Sequence, residues 1–156
     1  MRILVLSDSH GNIKNMMTAA ARTQPDMILH LGDYVRDGDK LKLLYPSVSL
    51  LQVEGNCDAC DLPGAPLTRT LEPDGHRIFM THGHQYHVKN DLLALWYAAG
   101  EENAELVLFG HTHIPYHEST GGLTLLNPGS IGSSVRPTYA VIETDSKKLA
   151  ASILEI

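Results

Sequence analysis

Residues 2–12 read RILVLSDSHGN. Ile3–Leu6 is an unbroken apolar run, and a strand without polar alternation expects cover on both faces, as in the parallel sheets of α/β proteins. The run ends at Ser7 and delivers Asp8 and, two residues on, His10. The next stretch, GNIKNMMTAAARTQ (11–24), predicts a helix with Asn12 as N-cap and Pro25 as its stop. A buried strand feeding a polar turn and then an amphipathic helix is the start of a β-α-β fold.

The rest of the chain continues that alternation. Met27–Leu31 reads as a second strand, DGDKLKLLYP (37–46) as a short helix stopped by Pro46, and Val48–Val53 as a third strand. PLTRTLEPDGHRIFMTHG (66–83) holds two strand-like runs around Pro73-Asp74-Gly75, a hairpin signal. NDLLALWYAAGEENA (90–104) is helical, with Asn90 or Asp91 as cap and Leu92, Leu95, Trp96 and Ala99 on one stripe. Strands are expected at Leu106–Phe109, 114–118 and 123–127, and TYAVIETDSKKLAASILEI (138–156) closes with a hairpin. The order predicts an α/β fold: a four-layer α/β/β/α sandwich of two mixed sheets flanked by helices, as one domain over residues 1–156.

Composition narrows the function. The 156 residues are 43% hydrophobic and 19% charged, with a net charge of −6. That balance offers no basic field for stable nucleic-acid binding by counterion release. The apolar start is too short for a signal segment or a membrane span, so a cytoplasmic protein is expected. The two cysteines do not suggest a secreted disulfide framework. The C-x-x-C of Cys57-Asp58-Ala59-Cys60 has no second pair to complete a zinc site and reads as coincidental spacing.

The ends of the apolar runs carry the chemistry. ILVLS leads to Asp8 and His10, MILHLG to Asp33, SLLQVEG to Asn56, RIFMT to His82, and LVLFG to His111 and His113. Each Asp or Asn alone is an ordinary turn former. Turn chemistry does not call for four histidines, and the C-terminal edge of strands is where α/β sheets bind ligands. If Gly110–His113 stays extended, His111 and His113 point to one side and could converge on one cation. Mixed carboxylate, amide and imidazole donors suit Mn, Fe, Ni, Zn or Co, with no thiolate to favour softer ions. His84 follows in the same THGH stretch and is expected to lie near that edge. Asp37 and Asp39 read as helix-capping residues, and His30 as a hydrogen-bonded strand histidine.

Asp8-x-His10, Gly32-Asp33, Gly55-Asn56-Cys57-Asp58, His82 and Gly110-His111-Thr112-His113 resemble, in order and form, the motifs of calcineurin-like metallophosphoesterases. The GNCD stretch and Asn127-Pro128-Gly129-Ser130 resemble its small bacterial and archaeal phosphodiesterase branch. The resemblance implies two divalent ions, Mn first, with Fe, Ni, Zn, Co or Mg as alternatives. It implies Asp8, His10 and His113 on one ion, Asn56, His82 and His111 on the other, and Asp33 bridging both. Asp33, Asn56 and His84 would then be the catalytic group, and a small phosphate ester the substrate. The implied reaction is in-line attack of a metal-bridging hydroxide, most simply on a phosphodiester. A phosphomonoesterase, or a scaffold related to the phosphoesterase-like subunit of retromer, is the alternative. Ligand completeness speaks against a pure scaffold. No membrane partner is expected, and a homo-oligomer is compatible with the sequence.

Overall fold

The computed structural model describes residues 1–58 and 64–156. Ala59 and Cys60, and with them the C-x-x-C reading, lie outside the described residues. In chain order the elements are β1 (Arg2–Leu6), α1 (Ile13–Thr23), β2 (Met27–His30), α2 (Val35–Leu44), β3 (Ser49–Gln52), β4 (Thr68–Leu71), β5 (Ile78–Thr81), α3 (Leu93–Glu101), β6 (Leu106–Leu108), β7 (Tyr116–Thr120), β8 (Leu123–Asn127), β9 (Thr138–Asp145) and β10 (Lys148–Glu155). They form two five-stranded mixed sheets, ordered β10-β9-β1-β2-β3 and β4-β5-β6-β8-β7.

The alternation of side chains across each strand builds the layers. Ile3, Val5, Leu29 and Ile142 of the first sheet meet Ile78, Met80, Leu106 and Leu126 of the second in one buried core. The opposite face of β1, with Leu4 and Leu6, is covered by Met16, Ala19 and Ala20 of α1 and Leu41 of α2. Phe79, Val107 and Leu125, on the far face of the second sheet, are covered by Leu95 and Ala99 of α3. The expected four-layer α/β/β/α sandwich is therefore the architecture. Among the described residues no helix is long and apolar enough to cross a membrane.

Local signals held where they rested on backbone chemistry. Asn12 caps α1, its side chain accepting from the Asn15 amide at 3.2 Å. Four readings are corrected. Leu92, not Asn90 or Asp91, is the N-cap of α3, and Asp91 accepts from the Leu93 amide at 2.9 Å. Asp39 lies within α2 and accepts from the Gln52 side-chain amide at 2.8 Å rather than capping the helix. Trp96 does not join the buried stripe of α3: it is 37% exposed, because the sheet beneath is filled by Leu95 and Ala99. Asp37 does not cap its helix. It lies inside the first turn of α2, fully buried, and accepts from the Ser9 hydroxyl at 2.9 Å and the Gly11 amide at 2.7 Å. Its work is to hold the β1–α1 loop that carries His10. His30 is buried beneath that loop, with Nε2 3.3 Å from Ser9 Oγ but Nδ1 without a partner. Burial pushes its pKa below the usual imidazole value.

The cap of α2 comes from elsewhere in the chain. Tyr34 supplies no side-chain cap, and the carboxylate of buried Asp58 takes its place. One oxygen accepts from the Tyr34 and Val35 amides at 2.8 and 2.9 Å, and the other from Gly55 at 2.8 Å. Asp58 thus ties the loop after β2 to the loop after β3. Asp58→Ala would leave these amides without an acceptor, two of them belonging to a helix N-terminus. A loss of about 3 kcal/mol or more in denaturant-unfolding stability is expected.

Candidate metal centre

β1, β2 and β3 are parallel in the first sheet, and β5 and β6 are parallel in the second. Their C-terminal ends therefore open on a common edge, and the loops leaving them bring the sequence-predicted residues together. One donor atom each from Asp8, His10, Asp33 and His113 lies within 4.8 Å of the others. Asn56, His82 and His111 complete the surroundings. His82 Nε2 is 3.2 Å from Asn56 Oδ1 and 3.5 Å from Asp33 Oδ1, and the His82 and His111 rings are 5.0 Å apart.

The polar atoms are arranged for a cation. Asp8 Oδ2 accepts from the Ser7 hydroxyl at 2.6 Å and from the His111 amide at 3.2 Å. Its partner Oδ1 is buried and makes no well-aligned hydrogen bond. It faces Nε2 of His113 at 3.1 Å, of His82 at 3.9 Å and of His10 at 4.0 Å. His82 is more telling. Its Nδ1 is 2.8 Å from the Leu31 carbonyl, which can only accept, so the hydrogen sits on Nδ1. In the neutral ring the Nε2 lone pair then faces the oxygens of Asn56, Asp33 and Asp8. Lone pairs aimed at one another repel, and a cation among them turns the repulsion into coordination. The donor set therefore fits a divalent metal.

Electrostatics follow the same division. Burial works to raise the Asp8 pKa, but contact with His113, the nearby His82 and the Ser7 hydrogen bond hold it below the usual carboxylate value. Contact with the Asp8 carboxylate raises the His113 pKa against the effect of burial. Burial, then nearby His82 and Lys89, push His111 down to about 4. His111 is thus an unprotonated donor at neutral pH. Burial and then His82 also lower His84. The His84 ring lies 5.5 Å from His82 and 6.2 Å from His111, with Nδ1 unpartnered, so the fold brings His84 beside the cluster.

One geometric expectation is overturned. The His111–His113 segment is not extended: both histidines have positive φ, 66° and 61°, and the chain turns between them. His113 is directed to Asp8 and His111 to His82, so they serve opposite sides of the cluster rather than one point. Asp8, His10 and Asp33 also have positive φ. Such backbone costs of order 1–3 kcal/mol per residue and persists where surrounding contacts impose it. Those contacts come partly from residues for which the sequence offered no role. Asn127, ending β8, donates to the Gly110 carbonyl at 2.8 Å and to Thr112 Oγ1 at 3.1 Å. Ser130 Oγ donates to the Asp8 carbonyl at 2.9 Å, and the Ile131 and Gly132 amides donate to the Ser7 and Asp8 carbonyls. The Asn-Pro-Gly-Ser stretch after a strand was the available signal; its task is to brace two ligand loops.

Cys57 stands at the rim, exposed, with the Asn56 amide nitrogen 3.5 Å from its sulfur. The other end of the Asn56 side chain, Oδ1, faces His82 Nε2 at 3.2 Å. Burial and the Asp33 carboxylate push the thiol up to about 11.

Comparison with known proteins agrees with this geometry. The model of the calcineurin-like phosphoesterase superfamily domain matches residues 1–147. The probable metallophosphoesterase YsnB of Bacillus subtilis is 36% identical over 153 residues, spanning 94% of this chain and 86% of that protein. The phosphodiesterase YfcE of Escherichia coli K12 is 27% identical over 153 residues, 84% of this chain and 79% of its own. A Streptococcus pneumoniae TIGR4 protein, a conserved predicted phosphoesterase, superposes with a TM-score of 0.82 at 30% identity, covering 99% of this chain and 88% of that one.

Proposed function

The chain belongs to the calcineurin-like phosphoesterase superfamily, in the branch of small phosphoesterases that includes YsnB and YfcE, and from that membership we propose that it is a dinuclear metal-dependent phosphodiesterase. The observation that carries this reading is the buried, unpartnered Asp8 Oδ1 within 4.0 Å of three imidazole nitrogens, with the His82 lone pair turned on the same cluster.

Asp8, His10 and His113 would hold one ion, and Asn56, His82 and His111 the other, with Asp33 shared. Mn is the first expectation, with Fe, Ni, Zn, Co or Mg as alternatives. Two such ions supply Lewis-acid polarisation of the phosphoryl oxygens and an acidified water. The chain's own part is to hold the donors deprotonated and aimed. The Leu31 carbonyl keeps the hydrogen of His82 on Nδ1, and burial keeps His111 neutral. His84, beside both rings, would be the residue that contacts a phosphate oxygen. Stripping the protein with a chelator should abolish hydrolysis of bis(p-nitrophenyl) phosphate, and Mn²⁺ should restore it. Full turnover by protein verified to be metal-free would refute the reading.

Leaving-group chemistry makes a second expectation. Many superfamily members carry His where this chain has Cys57, and an imidazole is a good general acid near neutrality. A thiol is a weak donor and offers no second nitrogen to orient. The chain should therefore favour esters whose leaving group needs little protonation, and aryl diesters over alkyl diesters. Cys57→Ala is expected to change aryl-diester turnover by less than about threefold, against the 10²–10⁴-fold typical of a lost general acid. Cys57→His should help alkyl diesters more than aryl ones. Steady-state kinetics on a matched pair of diesters measures both.

A further inference from the structure

Beside the cluster runs a groove of about 450 Å³. Val88 and Phe109, both buried, contribute to its lining, as do partly exposed Leu92 and Tyr116 and the 66% exposed Ile114. The groove joins the candidate centre through Thr112, which lines it and lies between His111 and His113. The contact of Asn127 with Thr112 Oγ1 fixes that junction. Lys89, Asn90 and Asp91, all exposed, also line the groove. A smaller recess of about 270 Å³ shares Leu92 and Tyr116 and continues toward Trp96.

We propose that this groove is the subsite for an aromatic arm of the phosphodiester; the proposal rests on the phosphodiesterase reading. Three observations select that occupant. The walls are mostly hydrocarbon and aromatic, so a hydrated or charged arm gains little from entering, whereas a ring removes apolar surface from water. Phe109 and Tyr116 already pack edge to face, centroids 6.1 Å apart at 62°, a geometry that a further ring can extend. The volume falls within the roughly 300–1,000 Å³ of small-molecule sites, and Thr112, between the two ligand histidines in sequence, opens the groove to the cluster. A methyl or ethyl ester arm would leave most of the groove unfilled.

The test uses the Mn²⁺-loaded protein with phenylphosphonate and methylphosphonate, which share the anionic head and differ only in the arm. Calorimetry should show phenylphosphonate binding about tenfold more tightly, equivalent to about 1.4 kcal/mol. Methyl NMR signals of Val88, Leu92 and Ile114 should move with phenylphosphonate through its ring current, and not with methylphosphonate. Ile114→Ala, at an exposed loop position whose loss threatens no core, should cut the phenyl preference to about threefold. Equal affinity for the two probes, or an undiminished preference with unmoved methyl signals, overturns the proposal. Methyl signals that follow protein concentration rather than phenylphosphonate would assign the groove to a second copy of the chain and also overturn it. Turnover of methyl p-nitrophenyl phosphate checks the enzymatic reading separately. Turnover without a phenyl preference refutes the groove alone; a phenyl preference without turnover upholds the groove as an aryl-phosphonate site and refutes the diesterase.

Discussion

Asp33→Asn is expected to cost at least one of the two bound ions and to lower diester hydrolysis by about 10³-fold or more. The carboxylate of Asp33 spans the cluster: Oδ2 is 4.0 Å from His10 Nε2, while Oδ1 is 3.5 Å from His82 Nε2 and accepts from the Cys57 amide at 2.9 Å. It is 2% exposed, so no water replaces what it supplies. Asn has the same shape but no charge, and one of its two terminal atoms becomes a donor. Two divalent ions close together depend on anionic ligands between them, and each ion contributes several kcal/mol of transition-state stabilisation. About 4 kcal/mol corresponds to three powers of ten in rate. Metal quantification after gel filtration, with kcat/KM on an aryl diester, measures both effects. Two ions held at wild-type affinity would show that Asp33 is not the bridge. His111→Ala or Asn56→Ala should mainly weaken one ion.

Gly55→Ala is expected to cost about 10²-fold in activity, although it removes no functional group. A Cβ on Gly55 would lie 2.1 Å from Asp33 Oδ1 and 2.5 Å from the Asp33 amide nitrogen, closer than atoms can approach. Gly55 cannot retreat easily, because its amide donates to Asp58 and its carbonyl accepts from the Asp58 amide. The relief therefore falls on the Asp33 carboxylate. A misplacement of about 1 Å at a reacting centre costs on the order of 10²-fold, and overpacking costs about 1–3 kcal/mol of stability. Far-UV circular dichroism should stay native while bound metal and turnover fall. Wild-type metal content and turnover would mean that the loop absorbs the methyl group by a path other than moving Asp33.

How far each feature was legible depends on the range of the interaction behind it. The α/β class, the Asn12 cap and the hairpin of β4 and β5 follow from contacts a few residues long, or from the periodicity of a single element, and these can be read along the chain. The ligand candidates were legible for the same reason: each sits at the end of an apolar run, and strand ends in such folds face one edge. Asp58 and Asp37 were not legible in their true roles. Asp37 reads as a local cap and Asp58 as part of a loop motif, whereas each binds backbone amides 23 to 26 residues away.

By itself, the sequence determined which residue types would stand at the strand ends, and so the donor chemistry of carboxylates, amide and imidazoles. Those are covalent facts, and periodicity alone tells which side of an element they leave from. Only the tertiary structure decided how the donors are shared. An extended Gly110–His113 would send both histidines to one point, but positive φ at His111 and His113, braced by Asn127 across the sheet, sends them to opposite sides. The Leu31 carbonyl, 51 residues from His82, selects which ring nitrogen is free to coordinate. A backbone torsion of this kind is unfavourable in isolation and survives because hydrogen bonds from Asn127, Ser130, Ile131 and Gly132 hold the ligand loops in place. That balance belongs to the assembled fold, because no local stretch of the chain contains both the strain and the contacts that maintain it.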